Sequence, residues 1–162
     1  MTLPPYLGTF AGSAGAWDDL TASVPTIVAM AQLCANRLID PPESLPELGD
    51  QARAILVSAQ DQGIIEIKGN NSEFESSRRM IAVYVEIDSN TQLMFRGKTP
   101  EITIHFLDAF RELCSSGIII HHLGGEFSLN TAGYELARSI DKNDISEILD
   151  QATLVQLSLI HI

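Results

Sequence analysis

The sequence predicts an α+β fold, with helices packed on small antiparallel β-hairpins. Three observations carry that expectation. Residues 99–137 read TPEITIHFLDAFRELCSSGIIIHHLGGEFSLNTAGYELA: an amphipathic helix, a glycine, a short apolar strand, a Gly-Gly turn, a return strand and a new helix. Arg79 to Asp88 alternates Ile81, Val83, Val85 and Ile87 against Ala82, Tyr84 and Glu86, the period of a strand. The 162 residues are 45% apolar and 19% charged, which fits one folded domain with a sizeable core rather than a disordered chain.

Taken in order, residues 1–16 predict an irregular arm. Pro4-Pro5 and the glycines at 8, 12 and 15 resist regular structure, while Tyr6, Phe10 and Trp17 offer anchors. No Lys-Ser or Lys-Thr follows these glycines, so they lack the context of a phosphate loop. A single α+β domain is expected over 17–162. Its first helix covers Val24 or Pro25 to Ile39, where Ile27, Ala31, Cys34 and Leu38 recur at helical spacing. Pro41-Pro42 ends it. Ser44 and Glu47 have the spacing of a capping box for a second helix running to about Gln62. Leu48, Ala52, Ile55, Leu56 and Ala59 form its apolar stripe, and Gly63 closes it. Ile64 to Lys68 reads as a strand, followed by the polar tip Gly69 to Ser77.

Arg79 to Asp88 is apolar on both faces near its middle, so it is placed centrally in the sheet. Ser89-Asn90 turns the chain into Gln92 to Arg96. Thr99 then caps the next helix, with Pro100 at its first position and Glu101 at the positive end of its dipole. Ile102, Phe106, Ala109, Phe110 and Leu113 share its buried face. Gly117, the β-branched Ile118 to Ile120, Gly124-Gly125 and Glu126 to Leu129 give the hairpin, and Asn130 caps the helix after it. Asp144 and Glu147 suggest a last capped helix with Ile145, Ile148, Leu149 and Ala152. The end, LVQLSLIHI, fits either a continued helix or a strand.

Helix, Gly117-Ile118-Ile119, hairpin, and then Phe127-Ser128-Leu129-Asn130-Thr131-Ala132-Gly133 together resemble the end of a winged-helix domain. The closing pattern of that family has Thr where this chain has Asn130. The resemblance implies that 100–116 corresponds to the recognition helix and 121–128 to the wing. An internal echo accompanies it. Gly63-Ile64-Ile65 before Glu73-Phe74 parallels Gly117-Ile118-Ile119 before Glu126-Phe127. Either the chain holds two helix–hairpin units, 24–96 and 97–162, or one geometry has been reached twice.

Charge narrows the function. Ten basic residues against twenty-one acidic ones leave −11, a field that repels nucleic acid and anionic membrane and favours basic partners or plain solubility. The helix 100–116 carries Glu101, Asp108 and Glu112 against Arg111 alone, and the wing has no Lys or Arg, whereas phosphate contacts need cations on the docking face. Half of the basic residues lie between Lys68 and Lys98: Lys68, Arg78, Arg79, Arg96 and Lys98. These are the residues a nucleic-acid alternative would use, unless they are the salt-bridged guard of a sheet edge.

No cofactor, metal or catalytic constellation is expected. His121 and His122 point to opposite faces of a strand, and His105 with Asp108 reads as a surface hydrogen bond. Cys34 and Cys114 sit on apolar helix faces as buried thiols. The start lacks signal-peptide character and no apolar run spans a membrane, so a cytoplasmic protein is expected. The expected role is protein interaction or regulation, with a DNA-binding regulator as the alternative and an enzyme with an unrecognised site as the third. Leu154, Val155, Leu157, Leu159, Ile160 and Ile162 make the terminus too apolar to remain in water, which points to a homodimer through this segment.

Overall fold

The computed structural model describes residues 14–69 and 80–156, with side chains from residue 25 onward. Its elements in chain order are α1 (Ala14–Ile39), α2 (Asp50–Ser58), β1 (Ile64–Lys68), β2 (Ala82–Asp88), β3 (Thr91–Phe95), α3 (Pro100–Ser115), β4 (Ile119–His121), β5 (Glu126–Leu129), α4 (Thr131–Ser139), α5 (Ser146–Leu149) and β6 (Thr153–Gln156). A 3-10 turn, Lys142–Ile145, leads into α5. The mixture of helices with an antiparallel sheet is the expected α+β class.

The strands form one sheet in the order β4-β5-β1-β2-β3-β6, each pair antiparallel. Both halves of the chain contribute to it, because β1 pairs with β5. The register aligns Ile65 with Val85 and Phe127, Ile67 with Val83, and Val83 with Phe95. Residues opposite one another share a face, so these apolar side chains form a single buried layer against the helices. The reverse face carries Glu66, Tyr84 and Met94 in one row. β2, placed centrally from its sequence, lies between β1 and β3 and is the longest described strand.

On the helical side, α3 buries Phe106, Phe110 and Leu113 completely, as its spacing predicts. Phe110 meets Phe127 edge-on with ring centroids 5.0 Å apart, and Phe106 meets Phe95 at 4.9 Å. Such tilted aromatic contacts are favourable beyond the area they bury. Thr99 accepts the Ile102 N–H, and Asn130 accepts the Gly133 N–H while donating to the Gly117 carbonyl. Gly63 and Gly117 both take positive φ, and Gly117 follows the C-cap of α3 as read, whereas α2 ends at Ser58 with Ala59 as its C-cap, and a turn over 59–62 separates it from Gly63.

Several boundaries differ from the sequence reading. The helix α1 begins at Ala14, not at Val24 or Pro25, and so includes three residues assigned to the arm. The stretch 14–24 contains no proline, and the helix continues through Pro25, which withholds one N–H from the ladder. Ser44 and Glu47 do not open α2: its N-cap is Gly49, without a side-chain cap. The prolines at 41, 42 and 46 keep the approach extended, and Glu112 of α3 accepts the Gly49 N–H at 3.2 Å. Near the end, Asp141 accepts the Asn143 N–H, and the expected longer helix is a 3-10 turn followed by a single α-turn. The ambiguous terminus is a strand over Thr153–Gln156. The anchors Tyr6, Phe10 and Trp17 and the return strand at Glu73-Phe74 fall outside the described side chains.

Candidate interaction surface

The sheet has two ends, and they are finished differently. At one end, β4 is three residues long, and the C-terminal half of α1 runs beside it. Between them lies a groove of about 620 Å³ lined mainly by apolar groups, including Ala31, Ala35, Leu38 and Ile120. Leu38 and Ile39 are more than four-fifths exposed at the end of α1, and Leu123 is similarly open at the β4–β5 turn.

At the other end, β6 pairs with β3 through Thr91–Gln156, Gln92–Val155, Leu93–Leu154 and Met94–Thr153. Its other edge is unpaired among the described residues. Thr153 to Gln156 holds no charged residue and no proline, the usual guards of an open edge. Leu154 lies on the helix-side face, opposite Leu93, yet is 65% exposed. Val155, on the reverse face, is half-buried. Thus two of the predicted interface residues sit together on an accessible edge strand. Leu157, Leu159, Ile160 and Ile162 lie outside the described residues.

The basic residues are differently placed. Lys68 Nζ is 2.9 Å from Glu66 Oε1, donates to Gln92 Oε1 at 2.7 Å and lies over the Tyr84 ring. Gln92 Nε2 in turn donates to Glu66, which completes a small polar network on the reverse face of the sheet. Arg96 and Lys98 line a pocket of about 640 Å³ by the start of α3, together with Asp150. Arg96 donates to the Met80 carbonyl through Nη2, while its buried Nε has no protein partner. Arg78 and Arg79 lie outside the described residues. On the outer face of α3, Arg111 is engaged by Asp108, and Glu101 lies 3.8 Å from His105. The hydrogen bond read between His105 and Asp108 is therefore replaced by one pairing on each side of it.

The two adjacent histidines do point apart. His121 Nε2 bonds the Gly124 carbonyl, and His122 Nε2 bonds Ser128 Oγ. Among the described residues no group of three or more His, Cys, Asp or Glu is arranged to hold a metal ion, and no described helix is long and apolar enough to cross a membrane. Comparison with protein-family models, with curated proteins and with solved structures finds nothing that matches this chain.

Proposed function

We propose that this protein is an interaction module that self-associates through the β6 edge of its sheet. The observation that carries the reading is the finish of that edge: an unguarded strand with a large apolar residue, Leu154, left 65% exposed. A second copy is the occupant that fits. An antiparallel edge strand can pair with its own copy about a two-fold axis, giving a closed dimer and burying Leu154 from both sides. The sequence beyond it, LSLIHI, adds further apolar residues to the same segment.

A winged-helix-like build belongs to this proposal. α3, Gly117, the β4–β5 hairpin and the Asn130-capped α4 follow in the order the resemblance implies. The nucleic-acid alternative has less behind it. The solvent face of α3 offers Glu101 and Asp108, with its one arginine engaged by Asp108, and Lys68 is held by Glu66. A cytoplasmic setting fits two unlinked thiols.

The test is the mass of the full chain in solution across a wide concentration range. The expected result is a dimer that Leu154→Lys converts to a folded monomer, since a lysine on an edge strand opposes edge pairing. Leu154 is exposed, so the substitution leaves the subunit's circular dichroism unchanged. A full-length protein that stays monomeric at high concentration overturns the proposal. So does a dimer indifferent to Leu154→Lys. Tight, steeply salt-dependent binding to generic duplex DNA would favour the regulator instead.

A further inference from the structure

Cys34 and Cys114 are eighty positions apart in sequence, yet α1 packs on α3 and both side chains enter the same buried cluster, where each thiol acts on the other. The placement is fixed by more than the sulfurs. One turn further along α1, Arg37 Nε donates to the Ser115 carbonyl at 2.7 Å, next to Cys114 in α3. The two helices are thus clamped where the cysteines meet. The thiols differ in access. Cys114 is fully buried, whereas Cys34 is 6% exposed and lines the groove between α1 and β4.

We propose that Cys34 and Cys114 are an oxidation site for hydrogen peroxide, in which Cys34 is attacked first and Cys114 resolves it to an intramolecular disulfide. A small uncharged oxidant suits an apolar groove. In the first step the Cys34 thiolate attacks a peroxide oxygen. An S–O bond forms, the O–O bond breaks, and the departing hydroxide takes up a proton to become water, leaving a sulfenic acid. In the second step the Cys114 sulfur attacks the Cys34 sulfur. The S–S bond forms, the S–O bond breaks, and the hydroxyl leaves as water with the Cys114 proton. Two electrons pass from the sulfurs to peroxide and two waters result.

Electrostatics divides the roles in the same direction. The neighbouring Cys114 side chain holds the Cys34 thiol below its ordinary range. Burial pushes the Cys114 thiol up, so it keeps its proton until a sulfenic acid stands beside it. The resulting bridge would close a long loop and pin α1 to the core, restricting the unfolded chain. This inference is independent of the self-association reading.

The test treats the reduced, folded full chain with equimolar hydrogen peroxide and maps its cysteines by mass spectrometry after alkylation. The expected product has lost two hydrogens, contains a Cys34–Cys114 peptide pair, regains both thiols on reduction, and unfolds at a higher denaturant midpoint. In Cys114→Ala the reaction stops at a Cys34 sulfenic acid that dimedone captures. In Cys34→Ala the Cys114 thiol remains unreacted. Both variants are first checked for a native circular dichroism spectrum, and the wild-type map decides alone if one does not fold. Two thiols still free after treatment, a link between two chains, or Cys114 oxidised in Cys34→Ala at the wild-type rate overturns the proposal.

Discussion

The chain contains the order helix, glycine, apolar strand twice, and the two copies end in different surroundings. In the first, α2, Gly63 and β1 lie at the centre. Ala54, Ile55, Leu56 and Val57 of α2 are consecutive and all buried, so this helix has no single wet side there. Its strand β1 is covered on both edges, by β5 and by β2. In the second, α3, Gly117 and β4 form an outer layer. α3 is amphipathic, with Ile104, His105 and Asp108 in solvent, and β4 is an edge strand. The difference lies in the return strands. β5 folds back from β4 and takes one edge of β1, while β2 takes the other. The same local grammar therefore yields a core or a shell according to which strands come back to it.

If the second unit were only a cover, truncating its main aromatic would cost little. Phe110 argues otherwise. It is fully buried and packs on Phe127, which is aligned with Ile65 of β1, so it joins the outer unit to the inner one. Phe110→Ala is expected to destabilise the protein by about 3–5 kcal/mol, the range for losing a buried aromatic. Chemical denaturation measures it. A loss below about 0.5 kcal/mol, typical of surface changes, would mean the outer unit is not welded to the inner one.

The glycines that precede β1 and β4 sharpen the contrast. Both have positive φ, so alanine is strained at either, by about 1–2 kcal/mol. Their neighbours differ. A Cβ at Gly63 would overlap the hydroxyl and ring of Tyr134, whose hydroxyl donates to the Gln62 carbonyl at 3.1 Å. A Cβ at Gly117 would meet the Pro42 ring at 3.0 Å and Arg37 Cβ at an ordinary 3.8 Å. Gly63→Ala is therefore expected to cost more than Gly117→Ala, roughly 2 kcal/mol or above. In a Tyr134→Ala background its cost should fall toward the backbone term alone. Equal costs in the two backgrounds would show that the ring is not the obstacle.

Features set by neighbouring residues were legible in the sequence. Thr99, Gly117 and Asn130 act within a few positions of themselves, so their roles follow from residue type and spacing. The buried face of α3 and the central place of β2 were legible too, because periodicity records burial. What depended on distant partners was not. The Ser44–Glu47 box is a sound local signal, but Glu112, sixty-three positions beyond Gly49, takes the N–H at the helix entry. Whether 153–156 would be helix or strand was decided by β3, which lies elsewhere in the chain. Cys34 and Cys114 were each read as buried thiols, but nothing local announces that they meet. For the interaction surface, sequence showed an apolar terminus, while the unguarded edge and the exposure of Leu154 required the sheet order.

The smallest expected effect concerns how each helix starts. α3 has Thr99, and α4 has Asn130, as side-chain caps. α2, the more buried helix, begins at Gly49 with none. Gly49 does not need to be glycine for its backbone, since φ −71 and ψ 170 suit any residue at an N-cap. Nor is it crowded: a Cβ there would meet only a Glu112 carboxylate oxygen, at an ordinary 3.9 Å. Gly49→Ser would supply an oxygen for an N–H of the first turn and reduce the freedom of the unfolded chain. Its backbone N–H would still reach Glu112. The expected gain is about 0.5–1 kcal/mol, combining a better cap with the usual benefit of replacing a permissive glycine. Aspartate should gain less than serine, because its charge would face the Glu112 carboxylate, and that deficit should shrink in high salt. A denaturant midpoint that falls with serine would show that the inner helix depends on its glycine after all. A rise would show that packing against α3 and α4 holds α2 in place without the local cap its neighbours use.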